Sequence, residues 1–130
     1  MKYLFICTAN VCRSPMAQAI ACSMGLEAES AGFSAYVGEH IDADAAAVLQ
    51  KHGIAVPQTE ARRFTKPLGE QAGTLCVMGE DALDFMRMRY PQFVEKTVVL
   101  PDIPDPMGKG TAAFEDCFAA LKKAVEGLSR

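Results

Sequence analysis

Apolar residues along this chain come in short continuous runs separated by amphipathic stretches. Tyr3-Leu4-Phe5-Ile6, Thr74-Leu75-Cys76-Val77-Met78 and Thr97-Val98-Val99-Leu100 are rich in branched and aromatic side chains, the mark of strands buried on both faces. Residues 27–33, Glu-Ala-Glu-Ser-Ala-Gly-Phe, read as a further short strand ending in a turn. The intervening stretches carry helical spacing. A helix is predicted over 15–24. A second begins at Asp42, with Ala45, Val48 and Leu49 on one face and a stop at Gly53-Ile54. A short one covers 66–72, and one over 81–90 ends before Pro91. The longest opens at Thr111, with Phe114, Cys117, Phe118, Leu121, Val125 and Leu128 at spacings of three and four. Residues 35–41 form a loop. Strands alternating with helices predict an α/β fold of three layers, a four-stranded parallel sheet flanked by helices. Cys76, Cys117, Phe85, Met86 and Met88 are assigned to packing, and His52 to a helix end or the surface.

Bulk properties narrow the class. The 130 residues suit one domain spanning 1–130 and can bury roughly two-thirds of their surface. Half the residues are hydrophobic and the net charge is −3, with no basic footprint or charge run to suggest nucleic acid or an anionic membrane. The first apolar run stops at Cys7, too short for a secretory signal, and no stretch is long enough to span a bilayer. The five cysteines are odd in number and lack metal-type pairing. A reduced, cytoplasmic protein with free thiols and no bound metal is expected.

The chemistry concentrates in Cys7-Thr8-Ala9-Asn10-Val11-Cys12-Arg13-Ser14, between the first strand and the first helix. A loop there can aim several backbone N–H groups into one concavity, and the helix dipole adds positive potential. That suits a tetrahedral oxyanion. A free thiol has a pKa of about 8.5 and is mostly protonated at neutral pH. Loop amides, a helix N-terminus and Arg13 would each favour the thiolate of Cys7. A depression of about three units needs about 4 kcal/mol of differential stabilisation, within the range seen for thiols at helix N-termini. Arg13 can grip two phosphate oxygens and hold them better as equatorial charge develops. Ser14 can cap the helix with Pro15 at its first position, or donate to the Cys7 thiolate. Asn10 tolerates left-handed backbone geometry and can bond its own loop. Taken singly, Cys7 could be a buried strand-end cysteine, Arg13 a surface charge and Ser14 a cap. The combination C-x5-R-S-P between strand and helix favours a reaction centre.

The stretch CTANVCRSPMAQA resembles the phosphate-binding loop of the low-molecular-weight protein tyrosine phosphatases, bacterial type. The resemblance implies that Cys7 is the nucleophile and forms a phosphocysteine. Thr8, Ala9, Asn10, Val11, Cys12 and Arg13 would bind the phosphate, and Ser14 would steady the thiolate. It implies a sheet order of 2-1-3-4 and an Asp-Pro general acid near the C-terminus, here Asp105-Pro106. Cys7 then follows strand one and Asp105 follows strand four, on the same edge of the sheet. Pro104 and Pro106 stiffen the acid's loop. Asp102 is the rival acid and lacks a following proline. Ser-Ala-Gly often follows the family's second strand, which would pair Ser30 with Asn10. Residues 58–65, holding Arg62 and Arg63, resemble the family's His-x-Ala-Arg stretch, with Thr59 in place of the histidine.

The implied activity is hydrolysis of phosphotyrosine on phosphorylated protein, with inorganic phosphate as product and no cofactor. Phosphotyrosine-specific members line the pocket with two aromatics. The resemblance puts Ala35 at the first position, with Tyr36 beside it, and Met107 at the second; Met107 can pack against a ring. Relatives resembling protein arginine phosphatases carry threonine where this chain has Val11, whereas tyrosine phosphatases carry a bulky aliphatic, so Val11 sides with tyrosine. Thioredoxin-coupled arsenate reductases share the fold and loop but need two further redox cysteines after the third strand. Residues 79–96 contain none. A phosphoprotein-binding module without catalysis would not need nucleophile, arginine and acid together. The G-x4-G-K-[ST] motif of P-loop nucleotide hydrolases is absent. Cys12, five residues after Cys7, either captures an oxidised Cys7 as a disulfide or fills space beneath the loop.

Overall fold

The computed structural model describes residues 1–57 and 60–128. Strands β1 (Tyr3–Cys7), β2 (Ala28–Gly32), β3 (Thr74–Met78) and β4 (Thr97–Leu100) form one parallel sheet in the order β2-β1-β3-β4. This is the expected architecture. The helices are α1 (Arg13–Ser23), α2 (Ala43–Lys51), α3 (Lys66–Gln71), α4 (Glu80–Arg89) and α5 (Thr111–Leu128).

Alternation along β1 divides the core into two layers. Tyr3, Phe5 and Cys7, with Cys76, Met78 and Leu100, pack on residues of α1, α2 and α5. Leu4 and Ile6, with Leu75 and Val77, pack on Phe64, Leu83, Met86 and Phe93. Helix α1 is buried continuously from Ser14 to Ala21, because α2 and α5 cover the side turned away from the sheet. His52, the residue capping the C-terminus of α2, stacks on Phe118 of α5 at 4.1 Å, and its Nε2 lies 2.9 Å from Glu115 Oε2.

Four details differ from the sequence pattern. Helix α1 starts at Arg13, two residues early, with Cys12 as its cap and no side-chain capping bond. Ser14 is therefore inside the helix and does not cap it. Helix α4 starts at Glu80, directly after Gly79 in a left-handed conformation (φ 85°). Met88 does not pack: it is 73% exposed, while Met86 is fully buried, since residues two apart on a helix lie on opposite sides. A 3-10 helix over Pro91–Lys96 buries Phe93 and was not signalled by spacing. Thr59 lies outside the described residues.

Register sets the working edge. Ile6 pairs with Val77, and Met78 with Leu100, so the chain leaves β1 at Cys7 and β4 at Leu100 on one edge. With β3 between them, those exits are roughly 10 Å apart. Among the described residues no helix is long and apolar enough to cross a membrane.

Candidate active site

Thr8–Cys12 forms the turn between β1 and α1, and Asn10 is its pivot. Asn10 has φ 61°, a left-handed conformation that asparagine tolerates better than most residues. Its backbone N–H points back at Cys7 Sγ, 3.3 Å away. The loop's carbonyls are held outward by flanking segments. Phe33 N–H donates to the Cys7 carbonyl (3.0 Å), Ser34 N–H to Thr8 (2.9 Å), Asp42 N–H to Val11 (2.8 Å) and Met16 N–H to Cys12 (3.1 Å). In a planar trans peptide the following N–H points the opposite way. The amides of Thr8, Ala9, Cys12 and Arg13 therefore turn away from β2, the Asp42 segment and the helix body. No N–H of Thr8, Ala9, Val11 or Cys12 donates to a protein acceptor among the described residues.

Beneath the turn lies a buried polar chain. Asn10 Nδ2 donates to Ser14 Oγ (2.8 Å) and to Ser30 Oγ (2.9 Å), and Ser30 Oγ donates to Gln18 Oε1 (2.6 Å). Asn10 Oδ1 accepts from Arg62 N–H (3.0 Å). Every polar group of the asparagine side chain is thus used. Ser14 Oγ lies 2.9 Å from Cys7 Sγ and 3.3 Å from the Ala31 carbonyl. Because Ser14 already accepts from Asn10, its single proton is free to donate, and the shorter approach is to sulfur. Cys7 Sγ therefore has two donors aimed at it, the Ser14 hydroxyl and the Asn10 amide. Arg62 also reaches Ser30 O (3.0 Å) and Glu29 Oε1 (2.6 Å), tying the turn to β2. Gly32 completes the seal: a Cβ there would sit 2.6 Å from the Thr8 carbonyl oxygen.

Cys7 and Arg13 line one cavity of about 300 Å³ with Thr8, Phe33, Asp81 and Phe85. Arg13 Nη1 donates to the Ile103 carbonyl (3.0 Å), so the guanidinium is braced by the segment that carries Asp105. Asp105 is exposed, and its Oδ1 accepts from Met107 N–H (3.1 Å). It borders a second cavity of about 160 Å³ with Ile103, Pro106 and Cys117. Burial first, and then the charge of Asp105 and of Cys7, raise both the Cys12 and the Cys117 thiols, the latter to about 11. Asp42 also raises Cys12, and Arg13 pulls Cys117 back down. Cys7 and Arg13 thus line one cavity, and Asp105 borders a second one that it shares with Cys117, linked to the first through the Arg13–Ile103 hydrogen bond. Asp102 instead abuts Gly79, where an added Cβ would meet its side chain at 3.1 Å.

The wall positions need one correction. Ala35 is fully buried in the core and cannot face a substrate, whereas Tyr36 is 71% exposed and Met107 46% exposed. The exposed aromatic after β2 is Tyr36. Three contributors went unnoticed in the sequence. Gln18 reads as one more helical residue, Phe33 as the end of a strand and turn, and Phe85 as packing. Asp81 and Phe85, four apart on α4, share a face toward the cavity.

The pattern of the family described as low molecular weight phosphotyrosine protein phosphatase matches residues 2–130. A probable low molecular weight protein-tyrosine-phosphatase EpsP of Ralstonia solanacearum is 34% identical over 130 residues, covering 95% of this chain and 90% of the relative. The YwlE arginine phosphatase from Geobacillus stearothermophilus superimposes with a TM-score of 0.93 at 29% identity, covering 98% of this chain and 90% of its own. The tyrosine phosphatase Wzb from Escherichia coli K30, solved with sulphate, superimposes with a TM-score of 0.90 at 28% identity, covering 98% and 95%.

Proposed function

The chain belongs to the low molecular weight phosphotyrosine protein phosphatase family, and on that premise we propose the roles by which its residues hydrolyse phosphotyrosine on protein. Cys7 attacks phosphorus in line as the thiolate, forming an S–P bond while the P–O bond to the tyrosyl oxygen breaks. The turned-in amides and Arg13 hold the equatorial oxygens. Asp105 gives its proton to the departing phenol oxygen. In the second step the Asp105 carboxylate takes a proton from water as that water attacks the phosphocysteine. The S–P bond breaks, inorganic phosphate leaves, and Ser14 donates to the returning thiolate. Tyr36 and Met107 flank the phenol ring.

One observation carries this reading: Cys7 Sγ lies 2.9 Å from Ser14 Oγ and 3.3 Å from the Asn10 amide, beside a loop in which the carbonyls of Cys7, Thr8, Val11 and Cys12 are engaged elsewhere. Five free cysteines fit a reducing, cytoplasmic setting. The test is Cys7→Ser, which should abolish turnover of p-nitrophenyl phosphate while still binding phosphate or vanadate. Near-normal turnover would end the mechanism.

Likeness to the YwlE arginine phosphatase supports a second reading, phosphoarginine as the substrate. Val11, buried in the turn, favours the first. Rates on matched phosphotyrosine and phosphoarginine peptides decide between them.

A further inference from the structure

The cavity at Cys7 does not end at the aromatic pair Phe33 and Phe85, whose rings are 4.7 Å apart. Phe33, Ser34 and Phe85 are also walls of a neighbouring cavity of about 430 Å³, bounded beyond them by Tyr36, Arg63, Arg89 and Tyr90. The two cavities therefore adjoin across these three residues, and together they make a surface groove leading away from Cys7.

Two guanidinium groups stand at its far end. Arg63 follows Arg62, and the two side chains go to opposite places. Arg62 is consumed by Ser30 O and Glu29, while Arg63 donates to the Ala35 carbonyl (3.4 Å) and faces the groove. Arg89 lies over the Phe85 ring at 5.7 Å. Its neighbour Arg87, also in the last turn of α4, pairs with Asp84 and borders neither cavity. A helix-end charge preference accounts for both residues but not for this division. Among the described residues neither Arg63 nor Arg89 has a carboxylate in ion-pair range. The floor is aromatic: Phe64 meets Phe33 edge-on at 5.7 Å and Tyr90 at 4.9 Å. Among the described residues, the one acidic group bordering the groove is Asp81, at the Cys7 end.

We propose that this groove is a substrate subsite, in which Arg63 and Arg89 bind an anionic side chain lying a few residues from the phosphorylated residue that enters at Cys7. Its ligand is a carboxylate or a second phosphoryl group on the same peptide. Arginine binds both bidentately, and the aromatic floor suits a second phosphotyrosine ring. The proposal rests on the phosphatase reading of Cys7 and adds where the rest of the substrate lies.

The test uses three phosphotyrosine peptides of equal length, with neutral, glutamate-bearing or second-phosphotyrosine flanks, assayed for kcat/KM at the first phosphotyrosine. The wild type should favour the anionic flanks by roughly three- to tenfold, the range for two solvent-accessible charge pairs, and raised salt should shrink the ratio. Arg63→Gln with Arg89→Gln should bring the ratio toward one, and the double Lys variant, which keeps the charge but not the bidentate geometry, should keep only part of it. Equal rates on all three peptides, a ratio unmoved by salt, or a ratio surviving the double Gln variant would each overturn the subsite. Should the Gln variant fail to fold, the salt dependence of the wild type decides alone. If the wild type turns over none of the peptides yet hydrolyses phosphoarginine, the tyrosine assignment fails, and the same flanks on a phosphoarginine peptide test the groove. If Glu and phosphotyrosine flanks differ, the better one identifies the anion.

Discussion

Replacing Asn10 by alanine tests the claim that one side chain holds the reactive turn in shape. The substitution deletes three hydrogen bonds, to Ser14 (2.8 Å), Ser30 (2.9 Å) and Arg62 N–H (3.0 Å). At about 1 kcal/mol each they sum to about 3 kcal/mol. Alanine must also hold φ near 61°, at about 1–2 kcal/mol for a residue with a Cβ and no local bond. Water entering the space offsets part of this, so about 3 kcal/mol of destabilisation is expected overall. Glycine at the same position loses the same bonds without the strain, but frees the unfolded chain. It should therefore be better than alanine by about 0.5–1 kcal/mol. Both should lower kcat on p-nitrophenyl phosphate by roughly 10- to 100-fold, because a shift of about 1 Å in the amides and Ser14 costs that much. Urea unfolding and steady-state kinetics on the three proteins check this. The reasoning is refuted if Asn10→Ala stays within about 0.5 kcal/mol of wild type, the range of an ordinary surface substitution, or if alanine equals glycine.

Other consequences follow from particular contacts. Asp105→Asn should lower kcat on phenyl phosphate by about 10²–10⁴-fold, and less for a leaving group as acidic as p-nitrophenol, whereas Asp102→Asn should leave the rate near wild type; a reversed pair would move the acid to Asp102. Burial raises the Cys76 thiol from 9.0 to about 12 and the Cys117 thiol to about 11. The unfolded chain then loses these protons first, so stability is full below about pH 9 and falls as pH rises toward 11–12. Urea midpoints at pH 8 and pH 10.5 should show the drop, and the Cys76→Ala, Cys117→Ala double variant should show a smaller one. His52→Ala, which removes the ring stacked on Phe118, should cost about 1 kcal/mol without changing kcat; an altered kcat would give this distant clamp a share in the chemistry. Mild peroxide should yield a reducible Cys7–Cys12 disulfide by mass spectrometry, and irreversible oxidation of Cys7 alone would leave Cys12 as packing beneath the turn.

The alternating elements, the parallel sheet and C-x5-R-S-P were readable along the chain because each depends on neighbours. Buried strands announce themselves as apolar runs. A phosphate turn needs its cysteine, arginine and serine within one short stretch, so their spacing survives in one dimension. Ser30 could be paired with Asn10 only through family likeness, and the Gln18 and Arg62 contacts were not anticipated. These residues come from three separate segments that the sheet brings beneath one turn, and no local spacing encodes that convergence. Tertiary structure also decided orientation. It buried Ala35 and exposed Tyr36 one residue later, and it turned Met88 outward while Met86 went inward. It sent Arg62 under the loop and Arg63 into the groove. The sequence alone determined which chemistry this protein carries, since reactive groups are set by residue type and spacing. Which groups face one another was left to packing, because a side chain's direction depends on what the rest of the chain places around it.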